Sequence, residues 1–223
     1  MKKILLGLVT ISAISFATSQ DNTYLNVRVG GDLGGEYTKI FIEDVPILNN
    51  ETKDLGGEIA IEGYKSITDN FDLGLGLAYQ FHSDRKEKSN GVIIGDRYRT
   101  LVFEGGEYNS IPLYLTAKYN FNTNSEIKPY LKANLGYSFN VNVSDIEGRL
   151  LERGEAQRFN TKVEDGLYWA FGGGVEYNNF TVDLMYAINK ADIKVPMGNR
   201  GEDIKMKNDY ERIVLSAGYR FNL

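Results

Sequence analysis

The sequence predicts an all-β protein, an eight-stranded antiparallel up-and-down transmembrane β-barrel with four long external loops and three short periplasmic turns. Three observations carry that prediction. Apolar residues recur at every second position rather than every third or fourth. The connections between the alternating segments run long, short, long, short. Charged residues within the segments fall in the phase opposite to the apolar ones.

The first residues stand apart. Lys2 and Lys3 precede an apolar stretch from Ile4 to Phe16, and Ser15-Phe16-Ala17 or Ala17-Thr18-Ser19 offers the small residues of a cleavage site. Residues 1–19 read as a secretory signal peptide, cut after Ala17 or Ser19, and residues 20–223 as the barrel.

The strands follow in order. Leu25-Val27-Val29 and Ile59-Ile61 are short alternating runs, and Leu73-Leu75-Leu77-Tyr79-Phe81 is longer. Next come Ile111-Leu113-Leu115-Ala117-Tyr119-Phe121 and Leu131-Ala133-Leu135-Tyr137-Phe139-Val141. Leu167-Trp169-Phe171-Gly173-Val175-Tyr177, Phe180-Val182-Leu184-Tyr186-Ile188 and Ile213-Leu215-Ala217-Tyr219-Phe221-Leu223 complete the set. Most runs reach about 9–11 residues, the length with which a tilted strand crosses a bilayer.

Tight connections at Thr68-Asp69-Asn70, Asn122 to Ile127 and Asn178-Asn179 are rich in the residues that favour turns. The other four, roughly 34–54, 83–107, 144–165 and 189–208, are long and hold most of the charge, so all long loops lie at one end. This asymmetry is that of a membrane barrel.

Alternation alone would also fit a soluble barrel with its apolar face inside. Three features place that face outside. Aromatic residues cluster at both margins of the apolar band: Phe71, Tyr119, Phe121, Tyr177, Phe180 and Phe221 at one, Tyr79, Phe81, Phe139, Trp169 and Tyr186 at the other. The polar phase is rich in small residues, such as Gly74, Gly76, Gly172 and Gly174, which suit a cramped interior. Its charges balance: Arg28, Lys118, Lys132, Arg212 and Arg220 against Glu58, Glu62, Asp72, Glu176 and Asp183. Unpaired charges in a closed space are costly, so these ten residues are expected to form an interior ionic network. Arg28, Glu58, Glu62, Arg212 and Arg220, on neighbouring strands, are expected to share one cluster.

Composition closes off other classes. The 223 residues include no Cys and one His, which removes disulfides, thiolate chemistry and His-rich metal sites. A net charge of −5 argues against nucleic-acid binding. Gly30-Gly31-Asp32-Leu33-Gly34-Gly35 has no helix after it and reads as the rim of the first strand, not as a nucleotide loop. Gly172-Gly173-Gly174 reads as curvature in a strand.

The last residues, Ser216-Ala217-Gly218-Tyr219-Arg220-Phe221-Asn222-Leu223, resemble the C-terminal assembly signal of outer-membrane proteins through Gly218, Phe221 and Leu223. With the leader and eight strands, the chain resembles the small bacterial outer-membrane β-barrel superfamily of the OmpA membrane domain, OmpX and the Opa/NspA group. The resemblance implies a bacterial outer-membrane location, contact with the lipid bilayer and lipopolysaccharide, and insertion by the barrel assembly machinery. Eight strands suffice for a closed monomer.

No catalytic, cofactor-binding or metal-binding residues are expected. The leading functional reading is a non-enzymatic protein presenting long loops for adhesion, partner binding (a host or surface ligand) or envelope integrity. A narrow channel is the alternative. A lipid hydrolase is the third reading, because the lipid A deacylases share this fold and use a His, a Ser and a carboxylate. Here His82, Ser83 and Asp84 are consecutive, and adjacent strand residues face opposite ways unless the strand has already ended.

Overall fold

The computed structural model describes residues 22–42, 45–94, 97–150, 155–195 and 203–223, so the signal peptide expected at 1–19 lies outside the described residues. Among the described residues there are seventeen strands: β1 (Thr23–Tyr37), β2 (Ile40–Ile42), β3 (Val45–Leu48), β4 (Gly57–Thr68), β5 (Phe71–Phe81), β6 (Lys88–Ile94), β7 (Arg97–Glu104), β8 (Asn109–Asn120), β9 (Lys128–Val141), β10 (Ile146–Leu150), β11 (Glu155–Phe159), β12 (Lys162–Glu164), β13 (Gly166–Tyr177), β14 (Phe180–Asn189), β15 (Asp192–Val195), β16 (Ile204–Lys207) and β17 (Tyr210–Asn222). Eight of them, in the order β1-β17-β14-β13-β9-β8-β5-β4, close into an antiparallel barrel. Closure pairs the edges of the first and last strands, so lipid meets no open ladder. All eight alternating runs in the sequence are barrel strands.

The pleat sorts the residues as the pattern requires. In β5, Asp72, Gly74, Gly76, Ala78 and Gln80 turn inward, while Leu73, Leu77, Tyr79 and Phe81 turn outward. Around the barrel the outward apolar side chains are exposed, Leu115 by 56% and Phe171 by 57%. A continuous band of that kind is a surface made for lipid. Aromatic pairs line both margins. Tyr119–Phe121, Phe180–Tyr219 and Tyr219–Phe221 sit at the short-turn end; Tyr79–Phe81, Tyr137–Phe139 and Trp169–Tyr186 sit at the long-loop end.

Local chemistry sets the turns. Asn178 and Asn179 join β13 to β14 with φ of 46° and 69°, the left-handed pair that a two-residue hairpin demands. Inside, glycine makes room for rings: a Cβ on Gly76 would collide with the Tyr114 ring, and one on Gly174 would lie 2.7 Å from the Tyr130 hydroxyl. The glycine-rich stretch at 30–35 belongs to β1, which continues to Tyr37 with a bulge between Asp32 and Gly34.

The long connections are not plain loops. β6, β7, β10 and β11 form a four-stranded sheet, β12, β15 and β16 a three-stranded one, and β2 with β3 a hairpin. β7 pairs with β10 and β12 with β15, which ties the second connection to the third and the third to the fourth. Backbone bonds from Lys53 to Asp84 (2.8 Å) and Lys86 to Glu51 (2.9 Å) tie the first to the second. Beneath these sheets Ile40, Ile47, Leu48, Ile146, Ile193 and Val195 form a second apolar core, flanked by Phe103, Phe159, Val163 and Met206. All four connections contribute to it, and together they make one folded head above the barrel.

Candidate functional site

The barrel interior and its mouth carry nearly all the buried polar chemistry, in three tiers. In the middle tier Arg28 bridges Glu58 and Glu62, the latter at 3.1 Å. Lys132 reaches across to Glu62 at 2.7 Å and approaches Asp183 at 3.8 Å, while Arg212 meets Glu58 at 2.7 Å and Asp32 at 3.7 Å. Neutral groups complete the web. Tyr114 and Tyr64 donate to Glu62 (2.8 and 3.0 Å), Gln80 to Glu58 (3.0 Å) and Tyr130 to Asp183 (2.6 Å). Every ionic side chain here is at most 2% exposed, so no column of water runs through this level.

The lower tier lies toward the short turns. Glu176 accepts from Lys118 at 2.9 Å and from Arg220 at 3.1 Å. Asp72 accepts from Tyr24, Ser66 and Asn120 at 2.6–2.8 Å. The Arg220 guanidinium lies 3.8 Å over the Tyr24 ring and the Lys118 ammonium 4.1 Å over the Tyr130 ring.

The ten charges read from the sequence therefore divide. Arg28, Glu58, Glu62, Lys132, Asp183 and Arg212 meet in the middle, and Lys118, Glu176 and Arg220 meet below, with Asp72 held there by neutral donors. The expected grouping of Arg220 with Arg28, Glu58, Glu62 and Arg212 does not form. Arg220 stands opposite Asn26 and Arg212 opposite Gly35, and the eight steps along the strand from one to the other span about 26 Å at 3.3 Å per residue. Asp32, hidden in the glycine-rich stretch, joins the middle tier instead.

The upper tier closes the mouth. His82 stacks on Tyr210 at 4.1 Å between ring centres, with Tyr108 edge-on at 5.0 Å, and Tyr37 packs on Tyr210 at 4.6 Å. Over Tyr37, at 4.1 Å, lies the guanidinium of Arg85, which is 1% exposed. Arg85 donates to the carbonyls of Thr38 and Asn49 and to the side chain of Asn208, so one cation fastens the first, second and fourth connections. Burial lowers its pKa to about 10, still charged at neutral pH. Burial, reinforced by the charge of Arg212, holds His82 well below the ordinary histidine range.

His82 and Ser83 are both buried because β5 ends at Phe81. They form no relay: Ser83 Oγ accepts the Asp54 N–H at 2.9 Å, and neither ring nitrogen of His82 is hydrogen-bonded to Ser83 or to a carboxylate. In the C-terminal segment Gly218 packs inward beside Thr181 and Arg28, while Phe221 and Leu223 face outward, 47% and 61% exposed. Tyr24, Tyr64, Tyr114, Tyr130, Tyr168 and Tyr210 all point into the barrel. Their signal was positional, since each shares the phase of the charged residues on its strand.

A closed eight-stranded barrel with a lipid-facing apolar band and an ion-paired interior defines a small membrane-embedded β-barrel protein. The chain belongs to the family described as the outer membrane protein beta-barrel domain, whose model matches residues 4–221. That family resides in the bacterial outer membrane. The chain is 32% identical to the uncharacterized protein PM1543 of Pasteurella multocida (strain Pm70), over 99% of this chain and 98% of that one. Among solved structures it is similar to the outer membrane protein OprG from Pseudomonas aeruginosa (TM-score 0.53, 14% identity, 92% of this chain and 98% of that one). Neisserial surface protein A matches with a TM-score of 0.44 and 13% identity, over 89% of this chain and 97% of that one.

Proposed function

We propose that this is a non-enzymatic outer-membrane protein whose filled barrel supports one folded extracellular head, and that the head serves adhesion or the binding of a partner. The supporting observation is the apolar core shared by all four long connections. Solvated loops serving only as connectors would have no reason to bury Ile193 completely or to fix Arg85 between three segments. A shared core holds a shaped surface ready, which lowers the ordering cost of recognition.

The experiment is whole-cell binding, to host cells and to extracellular polymers, with each connection shortened in turn. Because the core is shared, shortening any one of the four is expected to abolish binding. Loss confined to a single connection would mean that it acts alone and that the head is not the functional unit. Unchanged binding in all four would leave an envelope-integrity role. The channel reading predicts steady current in planar bilayers, and the hydrolase reading predicts altered lipid A in cells that lose it with His82→Ala. The plugged interior and the unbonded His82 favour neither.

A further inference from the structure

Two walls of the head carry opposite charge. In the three-stranded sheet, register aligns Val163, Ile193 and Met206 in one cross-strand row, which packs into the head core. The outer face aligns Lys162, Lys194 and Lys205 in one row and Glu164, Asp192 and Lys207 in the next. Glu164 and Asp192 are taken up by Lys194 and Lys205 at 2.6–3.1 Å. Lys162 and Lys207 are exposed and make no ion pair among the described residues.

The four-stranded sheet is the converse. Phe103, Ile146 and Phe159 turn into the core, so Glu104, Glu147 and Arg158, aligned in one row, turn outward. They border a cleft of about 410 Å³ lined by five carboxylates, Asp84 among them, against two cations, Lys53 and Arg158. Arg158 pairs with Glu147 at 3.3 Å, whereas Asp84 and Glu104 make no ion pair among the described residues. Like charges directly across a ladder repel, so sheet stability alone favours neither the lysine row nor the Glu104–Glu147 pair.

Topology sets the two faces nearly back to back. β12, β15 and β16 continue β13, β14 and β17, while the cleft lies where β5, β8 and β9 pass into their connections. In the barrel order β14 stands three strands from β8 and four from β5, which is about 135–180° around an eight-stranded wall. Their heights agree as well. Tyr79, on the aromatic margin, accepts from Asn109 and Asn142 at 3.2 and 3.1 Å, and Glu104 and Glu147 lie five residues beyond those two. Lys207 stands opposite Asp192, six residues beyond Tyr186 on the same margin. At about 3.3 Å per residue and a tilt of about 40°, the glutamates lie about 13 Å and Lys207 about 15 Å above it.

We propose that the lysine face of one copy docks against the acidic cleft of the next, joining neighbouring barrels side by side through their heads. Charge complementarity, matching height and near-opposite placement carry this contact, which is independent of what the head binds. The bilayer holds every copy upright at one depth, so rotation about the membrane normal is the main freedom lost on docking. A contact between unlike faces is head-to-tail, and such faces on opposite walls propagate an open row instead of closing at a dimer. Each barrel is closed by its own chain, so the unit that repeats is the finished monomer.

The test mixes isotopically light and heavy full-length protein in phosphatidylcholine vesicles and applies a carbodiimide, which condenses a lysine with a carboxylate it touches. Wild-type protein is expected to give a ladder of dimers, trimers and higher species, suppressed by high salt. Light–heavy peptides should join Lys162 or Lys207 to Asp84, Glu104 or Glu147. The variants K162E/K207E and D84K/E104K should each lower the yield about tenfold, and neither breaks an ion pair described within one copy. Mixed together, they retain one complementary pair of faces and should give dimers without trimers. A wild-type product that stops at dimers, a ladder indifferent to salt, an unchanged yield in either variant or a mixture without dimers overturns the proposal. So do light–heavy peptides drawn from other surfaces. Heat-modifiable gel mobility reports the folding of each variant; should one fail to fold, the salt response and the light–heavy peptides of wild-type protein decide alone.

Discussion

Lys132 Nζ lies 2.7 Å from Glu62 Oε2, joining β9 to β4 across the lumen, with β8 and β5 between them on the barrel wall. Both side chains are at most 1% exposed. Glu62 also accepts from Arg28 at 3.1 Å and from Tyr114 at 2.8 Å, so this carboxylate is the hub of the middle tier.

Removing the hub leaves two buried cations short of a partner. Glu62→Gln is expected to destabilise the barrel by about 3–5 kcal/mol, the usual cost of breaking a buried pair. Urea titration in lipid vesicles, followed by fluorescence of the single tryptophan, Trp169, would measure it. The double variant E62M/K132M should recover part of the loss, since a matched apolar pair strands one fewer charge. A midpoint unmoved by E62Q would refute the hub.

Conductance follows from the same tier. Wild-type protein in planar bilayers is expected to pass almost no current, because Arg28, Glu58, Glu62, Lys132 and Arg212 fill the section. Truncating Arg28 and Arg212 to Ala removes the two longest inward side chains of that section and should raise the frequency of openings. Steady wild-type current would show that the tier opens spontaneously.

The mouth should respond to acid. His82 stays neutral in the folded head because burial and Arg212 lower its pKa from the ordinary 6.5, so below that pH only the unfolded chain takes up the proton. Stability of the head is then constant above about pH 6.5 and falls as pH drops below it, with a limiting slope of about 1.4 kcal/mol per unit. Limited proteolysis of the long connections at neutral and mildly acidic pH would report it. His82→Phe keeps the stack on Tyr210 and should flatten the response; an equally steep response in that variant would assign the effect to another group.

The head core can be separated from the barrel. Ile193 is fully buried in it, and Ile193→Ala should cost the head about 2–5 kcal/mol. The expected result is rapid proteolysis of the four connections with the heat-modifiable gel mobility of the barrel unchanged. Simultaneous loss of both would mean that the barrel depends on the head.

The barrel was legible because lipid imposes a strict rule: outward residues are apolar, and the period is two. Leu73 to Phe81 and Leu131 to Val141 display that rule over their full length. The head strands escape it because they are short and present charge on one face. Lys162-Val163-Glu164 offers a single apolar residue, whose burial depends on partners far along the chain. Arg220 was misplaced for a different reason. The phase of a residue reveals which side of the wall it faces, whereas its height along the barrel depends on register, and register emerges only from pairing. Asp32 was overlooked because the glycines around it obscure the strand it belongs to.

The shared head core has an immunological consequence. Ile40, Ile146, Ile193 and Phe103 come from four separate segments, so a surface patch above them is assembled from pieces distant in sequence. Antibodies raised on intact cells would recognise discontinuous epitopes, and a peptide copying residues 83–107 alone would carry the letters without the shape. Substitutions that alter one segment's buried face would disturb the other three, so antigenic variation is confined to the side chains that look outward.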